Sequence, residues 1–324
     1  MENNEIKSVL SEMLDIRYPI IIAPMFLVSN TKMIIAGVKA GATAAVPAMN
    51  YRTTDALRAA IREIKAEAGG PFGINLIVNK SNFTYKEQLA VICEEKVDFI
   101  ITSLGSPEET INQAHKNGIK VFCDVTNLKF AKKVESLGAD AVIAVNKEAG
   151  GHAGNISIKD LVPELKKHCT IPVISAGGVG NGHEMRDVMN LGAEGCSIGS
   201  IFIATDESDV SQEYKQACVD YGKNDIVLTS KLSGTPCTVI KTPYVEKIGT
   251  DQNWLEKLLN KNRKLKKWFK AFTFIKGMKS LQKAAFGATY KTLWCAGPTI
   301  ENVQSVRPIK AIIDQIVTEY HEKK

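Results

Sequence analysis

The stretch IPVISAGGVGNGHEMRDVMNLGAEGCSIGS, residues 171–200, contains two short apolar runs separated by a helical pattern. IPVISAG (171–177) and GCSIGS (195–200) are built from apolar and small residues, which predicts two buried strands. Between them, GHEMRDVMNLGA (182–193) has helical spacing and reaches a glycine near its end. A strand, a helix and a strand in this order predict parallel strands joined by a helical crossover.

The same alternation extends from residue 19 to about residue 205. Six further apolar runs predict strands at residues 19–24, 42–47, 72–78, 98–103, 119–125 and 141–145. The total of eight strands is the number that closes a (β/α)8 TIM barrel. An open, doubly wound sheet is the alternative, but residues able to carry chemistry follow many strands and do not gather at one switch point. We therefore expect an α/β fold of the (β/α)8 barrel type.

The alternation stops after Asp206. Residues 207–295 contain helix-like, lysine-rich and aromatic segments, and IKAIIDQIVTEY (309–320) then has the spacing of a last barrel helix. We expect residues 1–206 and 296–324 to form the barrel and residues 207–295 to form a mostly helical cap inserted after strand 8. Because barrel enzymes carry their sites at the C-terminal ends of the strands, such a cap would cover the active site.

The composition is that of a soluble globular protein, with 44% hydrophobic and 23% charged residues among 324. The N-terminal MENNEIKSVLSEML (1–14) lacks the apolar core of a secretory signal, and no apolar run is long enough to span a bilayer. The seven cysteines include no C-x-x-C pair, which indicates reduced thiols in a cytoplasmic protein and argues against a zinc site.

The net charge of +6 is concentrated between Lys257 and Lys283, where ten Lys or Arg residues occur with no Asp or Glu. The rest of the chain is mildly acidic, which argues against a general nucleic-acid-binding protein. The segment is either a cationic surface for an anionic membrane or acidic partner, or a solvated face whose apolar side packs on the barrel. The second interpretation is favoured, since a cap needs an apolar face.

Two glycine-bearing turns follow the last two predicted strands. Gly177 and Gly178 follow the strand at 171–177, and Gly199 and Ser200 end the strand at 195–200. Barrels frequently bind a phosphate between these two loops, where backbone N–H groups and a hydroxyl can donate to it. The glycines lack the G-x-G-x-x-G spacing of a dinucleotide fold, and a tight turn without a ligand is the alternative.

The segment VNKEAGGHAGN (145–155) combines two glycines with a histidine at the end of a predicted strand. Gly150 and Gly151 allow a positive φ or a close approach to another molecule, and His152 can exchange a proton near neutral pH. We therefore expect a ligand beside the glycines and a base at His152. Glu148 either orients His152 or accepts from backbone N–H groups, and Asp124 is equally open between a catalytic and a structural role. HEMRD (183–187) lacks the second histidine of an H-E-x-x-H motif, so we expect no metal.

Taken together, these segments resemble the FMN-dependent nitronate monooxygenases, formerly called 2-nitropropane dioxygenases, a family related to the FMN-dependent enoyl-ACP reductases. EAGGHAG (148–154) is the most specific part of the resemblance. The other segments that carry it are YPIIIAPM (18–25), FGINLIVN (72–79), GADAVIAVNK (138–147), IPVISAGGVGNG (171–182), GAEGCSIGSIF (192–202) and WCAGPTIENV (294–303).

The resemblance implies that His152 is the catalytic residue. It also implies that the following residues contact FMN, the last five of them at its phosphate: Ala23, Pro24, Met25, Asn75, Ala149, Gly150, Gly151, Ala176, Gly177, Gly178, Gly199 and Ser200. The implied activity is the oxidation of alkyl nitronates by O2 to carbonyl compounds and nitrite, with FMN supplying the redox chemistry. An NAD(P)H-dependent FMN reductase of the enoyl-ACP or quinone type is the same-fold alternative, and a non-catalytic flavin-binding protein is another. Whether the chain forms a homodimer is open.

One departure from the family pattern concerns Val145 and Asn146, which stand where many members have Gln-Gly or Glu-Gly. The polar residue at that place often contacts flavin or substrate, so the departure leaves the substrate open. Ser200 stands where threonine is commoner and keeps the hydroxyl.

Overall fold

The computed structural model describes residues 5–79, 82–232, 236–252, 257 and 292–322. Eight parallel strands form a closed barrel in chain order, and β1 pairs with β8 to close it. All eight predicted strands are present, so the expected (β/α)8 TIM barrel is confirmed. The strands are β1 (Ile20–Ile22), β2 (Thr43–Pro47), β3 (Gly73–Ile77), β4 (Phe99–Ser103), β5 (Lys120–Val125), β6 (Ala141–Val145), β7 (Val173–Ala176) and β8 (Cys196–Ile198).

Helices alternate with these strands and pack outside them. Several begin at a side chain that accepts a hydrogen bond from the first helical turn, as Thr53, Asn127 and Ser157 do. The helices up to β8 are α1 (Val9–Leu14), α2 (Thr31–Lys39), α3 (Thr54–Ala68), α4 (Tyr85–Glu94), α5 (Glu108–Lys116), α6 (Leu128–Ser136), α7 (Ile158–His168) and α8 (Gly182–Asn190).

The inside of the barrel is filled at one end and accessible at the other. Leu10 and Leu14 of α1 pack against Phe99, Phe122 and other inward-facing strand residues, which closes the N-terminal end. The rings of Phe99 and Phe122 stack with their centroids 5.0 Å apart. Ser103, Asp124, Val145 and Ala176, at the C-terminal ends of their strands, keep part of their surface exposed. We call this accessible C-terminal end the mouth, and barrel enzymes place their sites there.

After β8 the described chain contains α9 (Gln212–Asp220), β9 (Ile226–Thr229), β10 (Cys237–Ile240) and α10 (Pro243–Ile248). β9 and β10 form a two-stranded antiparallel sheet, which the sequence analysis did not predict. The basic segment from Lys257 to Lys283 lies outside the described residues except for Lys257 itself, and so does most of the helical content expected around it.

The chain returns to the barrel with helix α11 (Ile309–His321), which packs against α8 and α2 as expected for the last barrel helix. Short 3-10 turns occur at Ala48–Asn50, Ser200–Phe202, Lys223–Asp225 and Pro298–Asn302. All seven cysteines are free thiols. None of the helices in the described ranges is long and apolar enough to cross a membrane.

Candidate active site

The loop after β6 is folded around Asn146, whose side chain is fully buried. Its amide nitrogen Nδ2 donates to the Gly177 carbonyl at 3.0 Å, and its Oδ1 accepts from the Glu148 backbone N–H at 2.9 Å. The Asn146 carbonyl also accepts from the N–H groups of Ala149 and Gly154, at 3.3 and 3.1 Å. Asn146 therefore joins the β6 loop to the turn after β7. This structural role was not predicted from the sequence, where Asn146 was only a departure from the family pattern.

Strand β10 holds the same loop from the other side through Thr238. The Gly151 N–H donates to Thr238 Oγ1 at 2.8 Å, and the Thr238 N–H donates to the Gly151 carbonyl at 2.9 Å. Thr238 Oγ1 also lies 3.4 Å from the Ala149 carbonyl, to which it donates. Thr238 was missed by sequence reasoning, because nothing in the sequence between β8 and α11 indicates which residue meets the loop.

Gly150 and Gly151 have different structural requirements. A Cβ on Gly150 would lie 2.9 Å from Ser200 Oγ and 3.0 Å from the Gly297 nitrogen, so a side chain there has no room. Gly297 N–H donates to Ser200 Oγ at 2.8 Å, which fixes these two groups against the loop. Gly151 has a φ of +75° with no atom near its Cβ position, so it is required for its backbone conformation.

His152 follows these glycines and its side chain is exposed at the mouth. Although the ring is exposed, the protein atoms around it remove enough water to lower its pKa from the usual 6.5. Glu148 Oε2 accepts from the Ile158 backbone N–H at 3.3 Å, and its Oε1 lies 3.9 Å from Lys147 Nζ. Of the two roles open for Glu148, the structure thus displays the backbone interaction.

The turns after β7 and β8 present backbone N–H groups to the mouth. Gly177 and Gly178 have φ values of +103° and +76°, and the pairing of Ala176 with Ser197 places Gly178 level with Gly199. The N–H groups of Gly178, Val179 and Gly199 donate to no protein acceptor among the described residues. Neighbouring N–H groups left without an acceptor suit an anion such as a phosphate.

The segment after β1 lies next to the β8 turn. Ala23 N–H donates to the Ile198 carbonyl at 2.8 Å, and Met25 N–H donates to Ser29 Oγ at 2.9 Å. A Cβ on Gly199 would lie 3.5 Å from both Ala23 Cβ and Met25 Sδ. Ala23, Pro24 and Met25 therefore line the same side of the mouth as the N–H groups of Gly178, Val179 and Gly199.

With this geometry in place, comparison with known proteins decides the family. The model of the nitronate monooxygenase family matches residues 7–85 and 82–319. The chain belongs to the nitronate monooxygenase family. It is therefore an oxidoreductase of this family, as the sequence analysis expected.

Individual relatives differ in the activity that their names state. The chain is 29% identical over 271 residues to (3aS,4S,5R,7aS)-5-hydroxy-7a-methyl-1-oxo-octahydro-1H-indene-4-carboxyl-CoA dehydrogenase of Rhodococcus jostii, covering 84% of this chain and 75% of the relative. It is 29% identical over 276 residues to the nitronate monooxygenase of Paraburkholderia phytofirmans, covering 70% and 75%. Among solved structures, FabK from Thermotoga maritima superposes with a TM-score of 0.81 at 30% identity, covering 97% of this chain and 96% of that one.

Beneath the mouth, three strands contribute a connected set of polar side chains. Asn75 on β3 is buried, and its Nδ2 donates to the Ile101 carbonyl at 3.1 Å and to Ser103 Oγ at 2.8 Å. Ser103 Oγ donates in turn to Asp124 Oδ2 at 2.5 Å. Removal from water raises the pKa of Asp124 to about 6, although the Ser103 hydrogen bond acts in the opposite direction.

The predicted cofactor residues and His152 lie in the segments that follow β1, β6, β7 and β8, except for two. Ala176 ends β7, and Asn75 lies within β3 beneath the mouth. Two other histidines lie elsewhere: His115 Nε2 is 2.9 Å from Asp140 Oδ2, and His183 Nε2 is 3.4 Å from Glu322 Oε2. Within the part of the chain that the structure describes, no group of three or more His, Cys, Asp or Glu residues is placed to hold a metal ion.

Proposed function

We propose that the protein is an FMN-dependent oxidoreductase that oxidises alkyl nitronates with O2 to carbonyl compounds and nitrite. The observation that carries the proposal is the β6 loop. It brings Gly150, Gly151 and His152 to the mouth and is joined by hydrogen bonds to the turn after β7 and to Thr238. Its family membership supports the reaction class.

The residues at the mouth fit FMN. The acceptor-free N–H groups after β7 and β8, with the Ser200 hydroxyl, are suited to one terminal phosphate. FMN would supply the electron-transfer chemistry, while the protein binds, orients and excludes water. The residues that would hold it are Ala23, Pro24, Met25 and Asn75, the run from Ala149 to Gly151, and Ala176, Gly177, Gly178, Gly199 and Ser200.

His152 would handle the substrate proton. Because its pKa is lowered from 6.5, the imidazole is neutral at pH 7 and can remove a proton from a neutral nitroalkane. With a nitronate, which has already lost that proton, His152 would only position the anion. We also propose that residues 207–295 act as a cap over a barrel formed by residues 1–206 and 296–324, because Thr238 of β10 contacts the β6 loop.

A second candidate function is an NAD(P)H-dependent FMN reductase of the enoyl-ACP or quinone type. The similarity to FabK from Thermotoga maritima over 97% of the chain favours it. The departure at Val145 and Asn146 leaves the substrate open between the two functions.

One experiment separates these functions. The purified protein is mixed under anaerobic conditions with NADH, NADPH or an alkyl nitronate, and the flavin absorbance is followed. Bleaching by the nitronate supports the first proposal, whereas bleaching by NADH or NADPH alone supports the reductase. Heating the protein should release FMN and not FAD, because the N–H groups in the turns after β7 and β8 suit a single phosphate. A colourless protein that does not bind FMN would exclude both functions.

A further inference from the structure

The hydrogen-bonded chain from Asn75 through Ser103 to Asp124 lies directly beneath the proposed cofactor site. Both protons of the Asn75 amide are engaged, one by the Ile101 carbonyl and one by Ser103 Oγ. The atom of Asn75 with bonding capacity left for a ligand is therefore Oδ1. Ser103 accepts from Asn75 and donates to Asp124. The carboxylate therefore fixes which group donates and which accepts in each of these hydrogen bonds.

Asp124 is an unusual group at this place, because little around it compensates its charge. In the neighbouring strand β6 it is paired with Ile143, and on β4 it faces Ser103. No Lys, Arg or His in the described ranges forms a salt bridge with it. A carboxyl in such surroundings exchanges its proton close to neutral pH, and its pKa is about 6.

Other ionisable groups near Asp124 can be distinguished from it. Cys123 precedes it in β5 and has a pKa raised to about 12 by burial, so this thiol stays protonated. The β6 loop carries Lys147, Glu148 and His152. Lys147 Nζ lies 3.9 Å from Glu148 Oε1. His152 has a pKa lowered from 6.5 by removal from water, and a variant lacking it separates its proton exchange from that of Asp124.

The position of Asp124 also bears on the departure at Val145. Val145 ends β6 with an apolar side chain facing the same interior, and Asp124 ends the inward row of the adjacent strand β5. Asp124 therefore places an ionisable group in the interior beside the apolar end of β6.

We propose that Asp124, acting through Ser103 and Asn75, is a positioning residue that places a titratable charge beneath the bound flavin and thereby sets its reduction potential. This inference rests on the proposed binding of FMN. Reduction adds negative charge to the ring system, and an ionised carboxylate in a water-poor site opposes it. Ionisation of Asp124 therefore lowers the potential, and its protonation raises it.

The test is a dye-equilibrated potential titration of the FMN-loaded protein between about pH 5 and pH 8, on either side of the Asp124 pKa of about 6. When the reduction potential of the wild-type protein is plotted against pH, the curve should fall more steeply as the pH rises through that pKa. We call this change of slope the bend. Asp124→Asn should lose the bend and have a higher potential than wild type at the upper end of the range. Ser103→Ala removes the hydrogen bond that lowers the Asp124 pKa, so its bend should move to higher pH.

Two control variants accompany these. Asp314→Asn removes the same charge from an exposed side chain on α11 that pairs with Lys310 at 2.6 Å, and it should leave the potential curve unchanged. His152→Ala should keep the bend, which assigns it to Asp124.

Normal FMN binding with the wild-type bend retained in Asp124→Asn would overturn this inference alone. Loss of thermal stability in Asp124→Asn and Ser103→Ala without any change of reduction potential would also overturn it, since these hydrogen-bonded side chains would then only support the fold. If Asp124→Asn does not retain FMN, Ser103→Ala decides. A bend at higher pH than in the wild type supports the inference, and a bend at the same or a lower pH overturns it. A wild-type protein that binds no FMN would overturn the proposed function together with the inference.

Discussion

Replacing Gly177 with alanine should break the junction between the loops after β6 and β7. Gly177 has a φ of +103°, a conformation that side-chain-bearing residues avoid. An added Cβ would lie 2.6 Å from both Ala149 Cα and Asn146 Oδ1. Ala149 cannot simply move aside, because its N–H donates to the Asn146 carbonyl and its own carbonyl accepts from Thr238.

The expected loss of stability has two contributions. The positive φ costs roughly 1–2 kcal/mol for a non-glycine residue. Forcing a methyl group against a fixed backbone costs roughly 1–3 kcal/mol more. The free energy of unfolding should therefore fall by roughly 2–5 kcal/mol. Because the collision lies between the two loops proposed to hold FMN, cofactor retention should fall as well.

Another glycine supplies a matched control. Gly118 has a φ of +73° in the turn before β5, and it has no atom within 4 Å of its Cβ position. Alanine at this site should incur only the conformational cost of roughly 1–2 kcal/mol. Denaturant unfolding measures the free energies, and the ratio of FMN to protein after purification measures retention. If Gly177→Ala were no less stable than Gly118→Ala and kept its FMN, the loop junction would not be rigid and the reasoning would fail.

Four further predictions concern the β6 loop. His152→Ala should keep FMN but lose on the order of 10²–10⁴-fold in turnover of a neutral nitroalkane, with a smaller loss for a preformed nitronate, while His115→Ala should match wild type. In the wild type, nitroalkane turnover should fall as pH drops through the His152 pKa, which lies below 6.5, because the protonated ring cannot accept a proton; a flat profile would contradict its role as base. Gly150→Val should weaken FMN binding by colliding with Ser200 and Gly297, and undiminished FMN affinity would argue against that packing. Thr238→Val leaves the Gly151 N–H without its side-chain acceptor and should cost about 1 kcal/mol of stability along with turnover, whereas Thr238→Ser should restore both.

The barrel could be predicted because its signals are local. Each strand is a short apolar run, and the predicted strand at 141–145 has the same bounds as the observed β6. The sheet of β9 and β10 has no such signal, because a two-stranded sheet is marginal alone and depends on its surroundings. Here those surroundings are distant in sequence: Thr238 meets Gly151, and the Ile240 N–H donates to the Trp294 carbonyl at 2.9 Å.

At the candidate site, the residue types were informative but their neighbours were not. Of the two glycines before His152, Gly151 has the positive φ that the sequence analysis allowed, yet the sequence could not say that Gly150 faces Ser200 and Gly297. Asn146 is a comparable case. From the sequence it was only part of a departure from the family pattern, whereas its buried amide forms the junction of two loops. The hydrogen bond between Asn146 and Gly177 joins residues 31 positions apart in the sequence, so it depends on barrel closure.

The same reasoning explains why Asp124 could not be assigned a role from the sequence. A motif is aligned along the chain, so the replacement of a polar residue by Val145 looks like a loss. In a barrel, however, the residues that share the interior are set by strand register, and the inward rows of β5 and β6 lie side by side. Side chains that are distant in a linear motif can therefore share the interior, as Asp124 at the end of the inward row of β5 and Val145 at the end of β6 do. Because Asp124 brings a titratable carboxyl to this interior, the electrostatics of the site would depend on pH.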